Sequence, residues 1–192
     1  MNYAGLVQDD LANGPGIRVS LFVSGCTRHC KNCYNQEAQA FDYGQPYTSE
    51  TAKNILELVA KSHCSGLSIL GGEPLDQDSN SLIGLIALAQ EVHKLGKNVW
   101  LWTGYTWEEI FNYRVARGDS KTSCRIKNTI RCALLNMVDV VVDGPFIDEQ
   151  KDLSLRWRGS TNQRIIDVQK SLKTGKTEVI PDEQVDKVCG GW

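Results

Sequence analysis

The sequence lacks a charge excess of either sign: 21 lysines and arginines stand against 23 aspartates and glutamates, for a formal net charge of -2. Such a balance gives no electrostatic reason to expect nucleic acid or an anionic membrane as partner. Long hydrophobic runs are missing too. The longest, residues 82–89, falls far short of the roughly 20 residues that a bilayer span requires. No basic flank followed by an apolar stretch opens the chain. The expectation is a soluble, cytoplasmic protein. Repeats, low-complexity tracts and a clear domain boundary are also absent, which leaves 192 residues to one domain with one sizeable core.

Cysteine, by contrast, is plentiful. Seven cysteines would fit a secreted disulfide scaffold, but the count is odd, and three fall within one run of eight residues, Cys26-Thr27-Arg28-His29-Cys30-Lys31-Asn32-Cys33. Clustered thiols point to metal and to a reducing compartment, because oxidised thiolates would release the metal. The spacing lets one loop wrap a single iron-sulfur cubane and present three thiolates to three of its irons. Electron-transfer ferredoxins supply four cysteines per cluster, so three favour an iron reserved for a ligand or substrate, and hence catalysis. The alternative is a zinc site completed by His29 or by a distant cysteine such as Cys64. Zinc knuckles, however, pair two ligands here with two much further along.

Residues 17–24 alternate and are rich in branched and aromatic side chains, which predicts a strand after the turn Asn13-Gly14-Pro15-Gly16. Ile55, Leu58 and Val59 predict a helix over residues 49–62, followed by a strand over 67–70 and the turn Gly71-Gly72-Glu73-Pro74. A helix over 79–95 and a strand over 98–102, closed by Thr103-Gly104, repeat the alternation. Beyond them the pattern predicts a helix over 107–117, an exposed loop over 118–127 and a buried strand over 138–142 ending at Asp143-Gly144-Pro145. A polar tail over 171–192, free to fray, ends the chain. Strands alternating with helices predict an α/β fold with a parallel sheet, whose strand C-terminal ends share the edge where ligands bind. The cysteine loop, Gly71-Gly72-Glu73-Pro74, Thr103-Gly104-Tyr105 and Asp143-Gly144-Pro145 should converge there.

Other reactive residues have plain readings. His63 and His93 sit near helix C-terminal ends, where the dipole favours an imidazolium, and His29 is a loop residue. Cys64, Cys124, Cys132 and Cys189 show no short metal spacing and read as buried or incidental thiols. Trp100, Trp102, Trp107 and Trp157 read as core and interface anchors, and Arg18, Arg158 and Arg164 as solvated surface groups. Gly190-Gly191 reads as part of the tail.

The cysteine run followed by Tyr34-Asn35 resembles the signature of the radical S-adenosylmethionine (radical SAM) superfamily, although Asn32 stands where an aromatic residue commonly precedes the third cysteine. With Asn13-Gly14-Pro15-Gly16, Trp102-Thr103-Gly104-Tyr105, Val141-Val142-Asp143-Gly144-Pro145-Phe146 and Trp157-Arg158-Gly159-Ser160, the chain is similar over residues 2–167 to the activating proteins of anaerobic ribonucleoside-triphosphate reductases. The resemblance implies an incomplete (β/α) barrel of radical SAM type with a curved parallel sheet, one domain over residues 1–192, since a full eightfold barrel takes about 250 residues. It implies one 4Fe-4S cluster on Cys26, Cys30 and Cys33, with S-adenosyl-L-methionine on the open iron and no catalytic residue beyond those ligands. Gly71, Gly72 and Glu73 would meet the methionyl end, where absent side chains admit close approach and the carboxylate accepts from the ammonium. Asn32, Cys33 and Tyr34 would meet the nucleoside end through backbone groups and the Tyr34 ring, and Thr103 and Asp143 the sugar or the wall, with Asp143 alternatively the cap of its own turn. The implied activity is reductive cleavage to a 5'-deoxyadenosyl radical that makes a glycyl radical on the large subunit of the reductase. A reduced flavodoxin-like donor and a homodimer within a heterotetramer complete the expectation. Two rivals remain: activation of another glycyl radical enzyme such as pyruvate formate-lyase, and a noncatalytic iron-sulfur or zinc binding module.

Overall fold

The structure, a computed structural model, describes residues 1–111 and 121–189. Strands β1 (Asn2–Asp10), β2 (Ile17–Val23), β3 (Gln45–Pro46), β4 (Cys64–Gly71), β5 (Asn98–Trp102), β6 (Val140–Asp143) and β7 (Arg164–Asp167) form one sheet in the order β3-β1-β2-β4-β5-β6-β7. The parallel sheet expected from the alternating pattern is its centre: β2, β4, β5 and β6 run parallel, while β1, β3 and β7 are added antiparallel. Those antiparallel strands escape the sequence pattern because β1 carries Gly5 and is mostly half-buried, β3 has two residues, and β7 has only four.

The helices are α1 (Ser49–Val59), α2 (Ser79–Lys94), α3 (Trp107–Phe111), α4 (Lys121–Asn136), α5 (Val168–Thr174) and α6 (Val185–Cys189). Thr48 opens α1 with a reciprocal capping box to Thr51, and Asp78 opens α2 by accepting from the amides of Asn80 and Ser81; each such cap contributes about 1 kcal/mol. The exposed loop expected over 118–127 is corrected from residue 121 onward, where α4 begins. Its opening turns are mostly polar, with Ile126 the one aliphatic residue before Ile130 and the buried Leu134 and Leu135. Residues 112–120, which take in the end of the predicted helix and the start of that loop, lie outside the described residues, as do Gly190-Gly191 and the side chains of Cys124 and Cys189. No helix among the described residues is long and apolar enough to cross a membrane.

Successive residues of a strand face opposite sides of a sheet, and here the two sides have different work. Val19, Leu21, Leu67, Ile69, Val99, Leu101 and Val141 face the side covered by α1, α2 and α4, where they meet Ile55, Leu82, Leu85, Val92 and Leu134 in the main core. Removing any one of these side chains at full burial forfeits roughly 1.5–3 kcal/mol. The opposite side carries Arg18, Phe22, Ser68, Leu70, Asn98, Trp100 and Trp102. Arg18, read from sequence as a solvated group, is fully buried there. It donates to Ser68 Oγ at 2.7 Å, Asn98 Oδ1 at 2.8 Å and the Leu67 carbonyl at 2.8 Å, which replaces the lost hydration. Lower on this face Trp100, Val140, Val142 and Ile165 form a second cluster with Ile180 and Val185. The last two belong to the segment read as a polar tail.

The registers Val23 with Gly71 and Trp102 with Val142 bring the C-terminal ends of the parallel strands to one edge. Cys64 pairs with Ile17 at the other end of β4, about 23 Å away along seven strand steps.

Candidate functional site

A cavity of about 620 Å³ opens at that edge, on the side of the sheet opposite α1, α2 and α4. The loops converge on it as expected: Cys26, Cys30 and Cys33 line it together with Gly71, Gly72, Glu73, Thr103 and Gly104. Its apolar wall is Phe22, Leu70, Trp102 and Trp157.

The cysteine loop is held mostly through its backbone. Gly25 turns the chain out of β2 at φ 101°, where an added Cβ would lie 2.1 Å from the Phe41 ring. The amides of Gly25 and Cys26 then donate to the carbonyls of Ala38 and Gln39 at 2.8 and 3.0 Å. His29 and Asn32 take left-handed φ of 48° and 53°, and the Cys33 amide closes on the Cys30 carbonyl at 3.3 Å. Asp76 pins the middle of the loop, accepting from the amide and hydroxyl of Thr27 at 2.8 and 2.6 Å on Oδ2. Its other oxygen accepts from the Tyr105 hydroxyl at 2.6 Å and from Arg131 at 3.1 Å. The Tyr105 ring lies against two guanidinium groups, Arg28 at 4.6 Å and Arg131 at 4.9 Å from its centroid. Burial works to raise the Asp76 pKa, but the hydrogen bonds from Thr27 and Tyr105 and the Arg131 charge outweigh it and hold the carboxyl below its ordinary range.

The glycine turn packs directly beneath. Gly72 donates to the Val23 carbonyl and Glu73 to the Gly25 carbonyl, both at 2.7 Å. The Glu73 carboxylate is 1 % exposed; it accepts from Thr103 Oγ1 at 2.8 Å, the Leu75 amide at 3.0 Å and the Gly104 amide at 2.6 Å. Burial nevertheless pushes its pKa up to about 7 from 4.5. An acid with a raised folded pKa favours the folded state while protonated, so stability falls as pH rises from about 4.5 to about 7 and is level above that. The size is about 3 kcal/mol by linkage. Urea unfolding of the metal-free wild type and of Glu73→Gln across that window should show the wild type losing ground to the variant as pH rises. Parallel pH curves would contradict it.

Tyr34 lines the cavity at 61 % exposure, with its ring 5.4 Å from Phe146. Thr103 lines it too, but its hydroxyl is engaged by Glu73 and by the Tyr105 amide. The side chains of Asn32 and Asp143 engage other protein groups. The Asn32 side chain donates to Asp148 Oδ2 at 2.7 Å, and buried Asp143 binds Arg164 through both oxygens and accepts from the Trp107 amide, at the start of α3. Arg164 and Arg158, expected to be solvated, are paired: Arg164 with Asp143 and Glu108, Arg158 with Asp182. Asn35 donates to the Gly71 carbonyl at 3.1 Å, and no sequence signal marks Arg28, Asp76 or Arg131. Asn35 closes the recognised motif, whereas Asp76 lies just past a turn read only to Pro74.

His29 faces Gln39 at 3.2 Å, and His63 and His93 pair with Asp9 and Asp139. Among the described residues no three or more histidine, cysteine or acidic side chains gather closely enough to hold a single metal ion. Three thiols on one loop, with Cys64 at the opposite sheet edge, fit a cluster that keeps one iron free of protein. Burial pushes the Cys26 thiol up to about 11, so metal binding there must displace a proton.

Comparison with known proteins agrees with this geometry. The model of the 4Fe-4S single cluster domain family matches residues 12–166. Curated relatives named anaerobic ribonucleoside-triphosphate reductase-activating protein include that of Vibrio cholerae, 39% identical over 167 residues, covering 86% of this chain and 97% of the relative. Those of Escherichia coli K12 and of Enterobacteria phage T4 are each 34% identical over 167 residues, covering 85% and 86% of this chain and 96% and 93% of the relatives. By the extent of both matches, the chain belongs to the family of anaerobic ribonucleoside-triphosphate reductase-activating proteins and contains its 4Fe-4S single cluster domain.

Proposed function

We propose that the protein activates an anaerobic ribonucleoside-triphosphate reductase as a radical SAM oxidoreductase, with Cys26, Cys30 and Cys33 holding the cluster. What carries the reading is the convergence of three loop cysteines and the Gly71-Gly72-Glu73 turn on one cavity, in a chain whose relatives carry that activating name. Bound there and reduced, the cluster supplies the electron that splits S-adenosylmethionine into methionine and a 5'-deoxyadenosyl radical able to take a hydrogen atom from a glycine of the reductase.

The protein's own part is placement. Gly71 and Gly72 present bare backbone to the methionyl end, and Glu73, ionised by a neighbouring ammonium, holds that cation. Phe22, Leu70, Trp102 and Trp157 offer flat apolar surface for the nucleoside and keep water from the reacting atoms. Cys33 and Tyr34 border the same end directly. Asn32 takes part through its backbone, because Asp148 holds its side chain. Thr103 acts by orienting Glu73, and Asp143 by fixing Arg164 and the start of α3.

A sheet covered by α1, α2 and α4 on one side and bordering the cavity on the other suits the incomplete, curved barrel of radical SAM enzymes, in a single domain. That opening admits a protein backbone. A reduced flavodoxin-like donor, a reducing cytoplasm and a homodimer within a heterotetramer with the reductase complete the proposal. The names of the relatives favour the reductase over pyruvate formate-lyase as target.

The test is anaerobic reconstitution with iron and sulfide, followed by electron paramagnetic resonance with and without S-adenosylmethionine and assay of 5'-deoxyadenosine and of the glycyl radical on the reductase. The expected result is a reduced 4Fe-4S signal that changes on adding S-adenosylmethionine, with both products formed. A zinc protein, or a cluster indifferent to S-adenosylmethionine, would overturn the proposal.

A further inference from the structure

The 4Fe-4S domain family match ends at residue 166, yet residues 178–185 beyond it are built into the cavity-bearing side of the sheet. The Asp167 amide donates to the Glu178 carbonyl at 3.0 Å and the Ile180 amide to the Ile165 carbonyl at 2.8 Å, so residues 178–180 run beside β7. Ile180 and Val185, 6 % and 0 % exposed, then pack into the second core cluster with Trp100, Val140 and Val142; Trp102 and Trp157 of the cavity wall lie against it. From this anchored position two carboxylates reach the wall segment. Asp182 grips Arg158 with both oxygens, at 2.5 and 2.8 Å, and Asp186 grips Arg156 with both, at 2.7 and 3.0 Å.

Between those arginines stands Trp157, at a left-handed φ of 62°, with Arg156 stacked 5.1 Å from its centroid and its carbonyl accepting from Trp102 Nε1 at 2.7 Å. A tryptophan rarely holds such a conformation unless its surroundings determine it. The two planar, bidentate pairs are suited to fixing orientation. Trp157 and Arg158 face the cavity; Asp182 and Asp186 do not line it.

We propose that residues 178–186 are a strap that holds the Trp157-Arg158 wall in its ligand-accepting position, with Asp182 and Asp186 as positioning residues. That the ligand is S-adenosylmethionine rests on the proposed function. A wall that is correctly placed one-tenth of the time weakens apparent binding about tenfold.

The test uses the reconstituted full chain carrying Asp182→Asn with Asp186→Asn. Its iron and sulfide content should match wild type, its dissociation constant for S-adenosylmethionine should rise about tenfold, and amide hydrogen exchange at residues 152–159 should accelerate. Unchanged exchange overturns the strap whether or not S-adenosylmethionine binds, so this failure is distinct from that of the radical SAM reading. Equal affinity in a wild type and variant that both bind also overturns it. The exchanged pair, Arg156→Asp with Asp186→Arg, decides the matter should the first variant not fold: each single change should speed exchange at 152–159, and the pair together should restore it. A pair no better than its single members overturns the inference.

Discussion

Cys33→Ala is expected to lose the 4Fe-4S cluster and reduce 5'-deoxyadenosine formation to background, while Cys64→Ala retains both. Removing outer-shell partners of a metal site already lowers affinity or activity about 10–100-fold, and loss of one of three direct ligands must exceed that. The loop offers no substitute: His29 is turned to Gln39, and Cys64 lies at the far edge of the sheet. The fold should survive, because the loop is secured to Ala38, Gln39 and Asp76 through backbone and Thr27 contacts that do not involve the Cys33 thiol. Iron and sulfide analysis with visible absorption checks the cluster, and product assay checks the chemistry. A Cys33→Ala protein retaining a full cluster and its activity would remove this cysteine from the ligand set.

Gly72→Ala should be strongly disruptive for a single added methyl group. Its Cβ would lie 2.6 Å from the Gly25 carbonyl oxygen and 2.7 Å from the Ala38 carbonyl oxygen, and both are backbone atoms with no side-chain torsion to relieve the contact. Separating them forces the glycine turn away from the cysteine loop, at about 3 kcal/mol, and breaks the 2.7 Å bonds from Gly72 to Val23 and from Glu73 to Gly25. The variant should melt well below wild type and reconstitute poorly. Gly84→Ala provides the contrast: an added Cβ there meets nothing within 4 Å, and the residue lies inside α2, so propensity predicts a gain of up to about 1 kcal/mol. Thermal unfolding of the two variants side by side tests the pair; similar melting temperatures would show that the turn is far softer than its contacts imply.

The parallel centre of the fold was legible because its strands are short apolar runs between amphipathic helices. Residues 98–102 match β5 at both ends, and the helix over 79–95 overshoots α2 by one residue. Loops that follow such strands must meet at one edge, and this is why the cysteines, the glycine turn and Thr103 come together. What stayed hidden depends on long-range contact. Asp76 is unremarkable in its local sequence and acquires meaning only when Thr27, Tyr105 and Arg131 surround it. Arg18 carries a full charge, and nothing nearby in the chain reveals that Ser68 and Asn98 supply its hydrogen bonds. The closing segment is rich in polar residues, yet Ile180 and Val185 suffice to bury its contact face. Asp143 stands out in sequence for its place in a motif, whereas its side chain turns to Arg164.

The distribution of the cysteine loop's anchors has a consequence for biogenesis. Cys33 is translated early, but Gln39, Asp76, Tyr105 and Arg131 must follow before the loop and its supports are complete. At about 5–20 residues per second, Arg131 is added on the order of 5–20 seconds after Cys33. During that interval the nascent chain displays three neighbouring thiols without the scaffold that spaces them. Until the fold closes, those thiols are open to oxidation, and a cell making this protein under sudden aeration is expected to lose part of it at this stage.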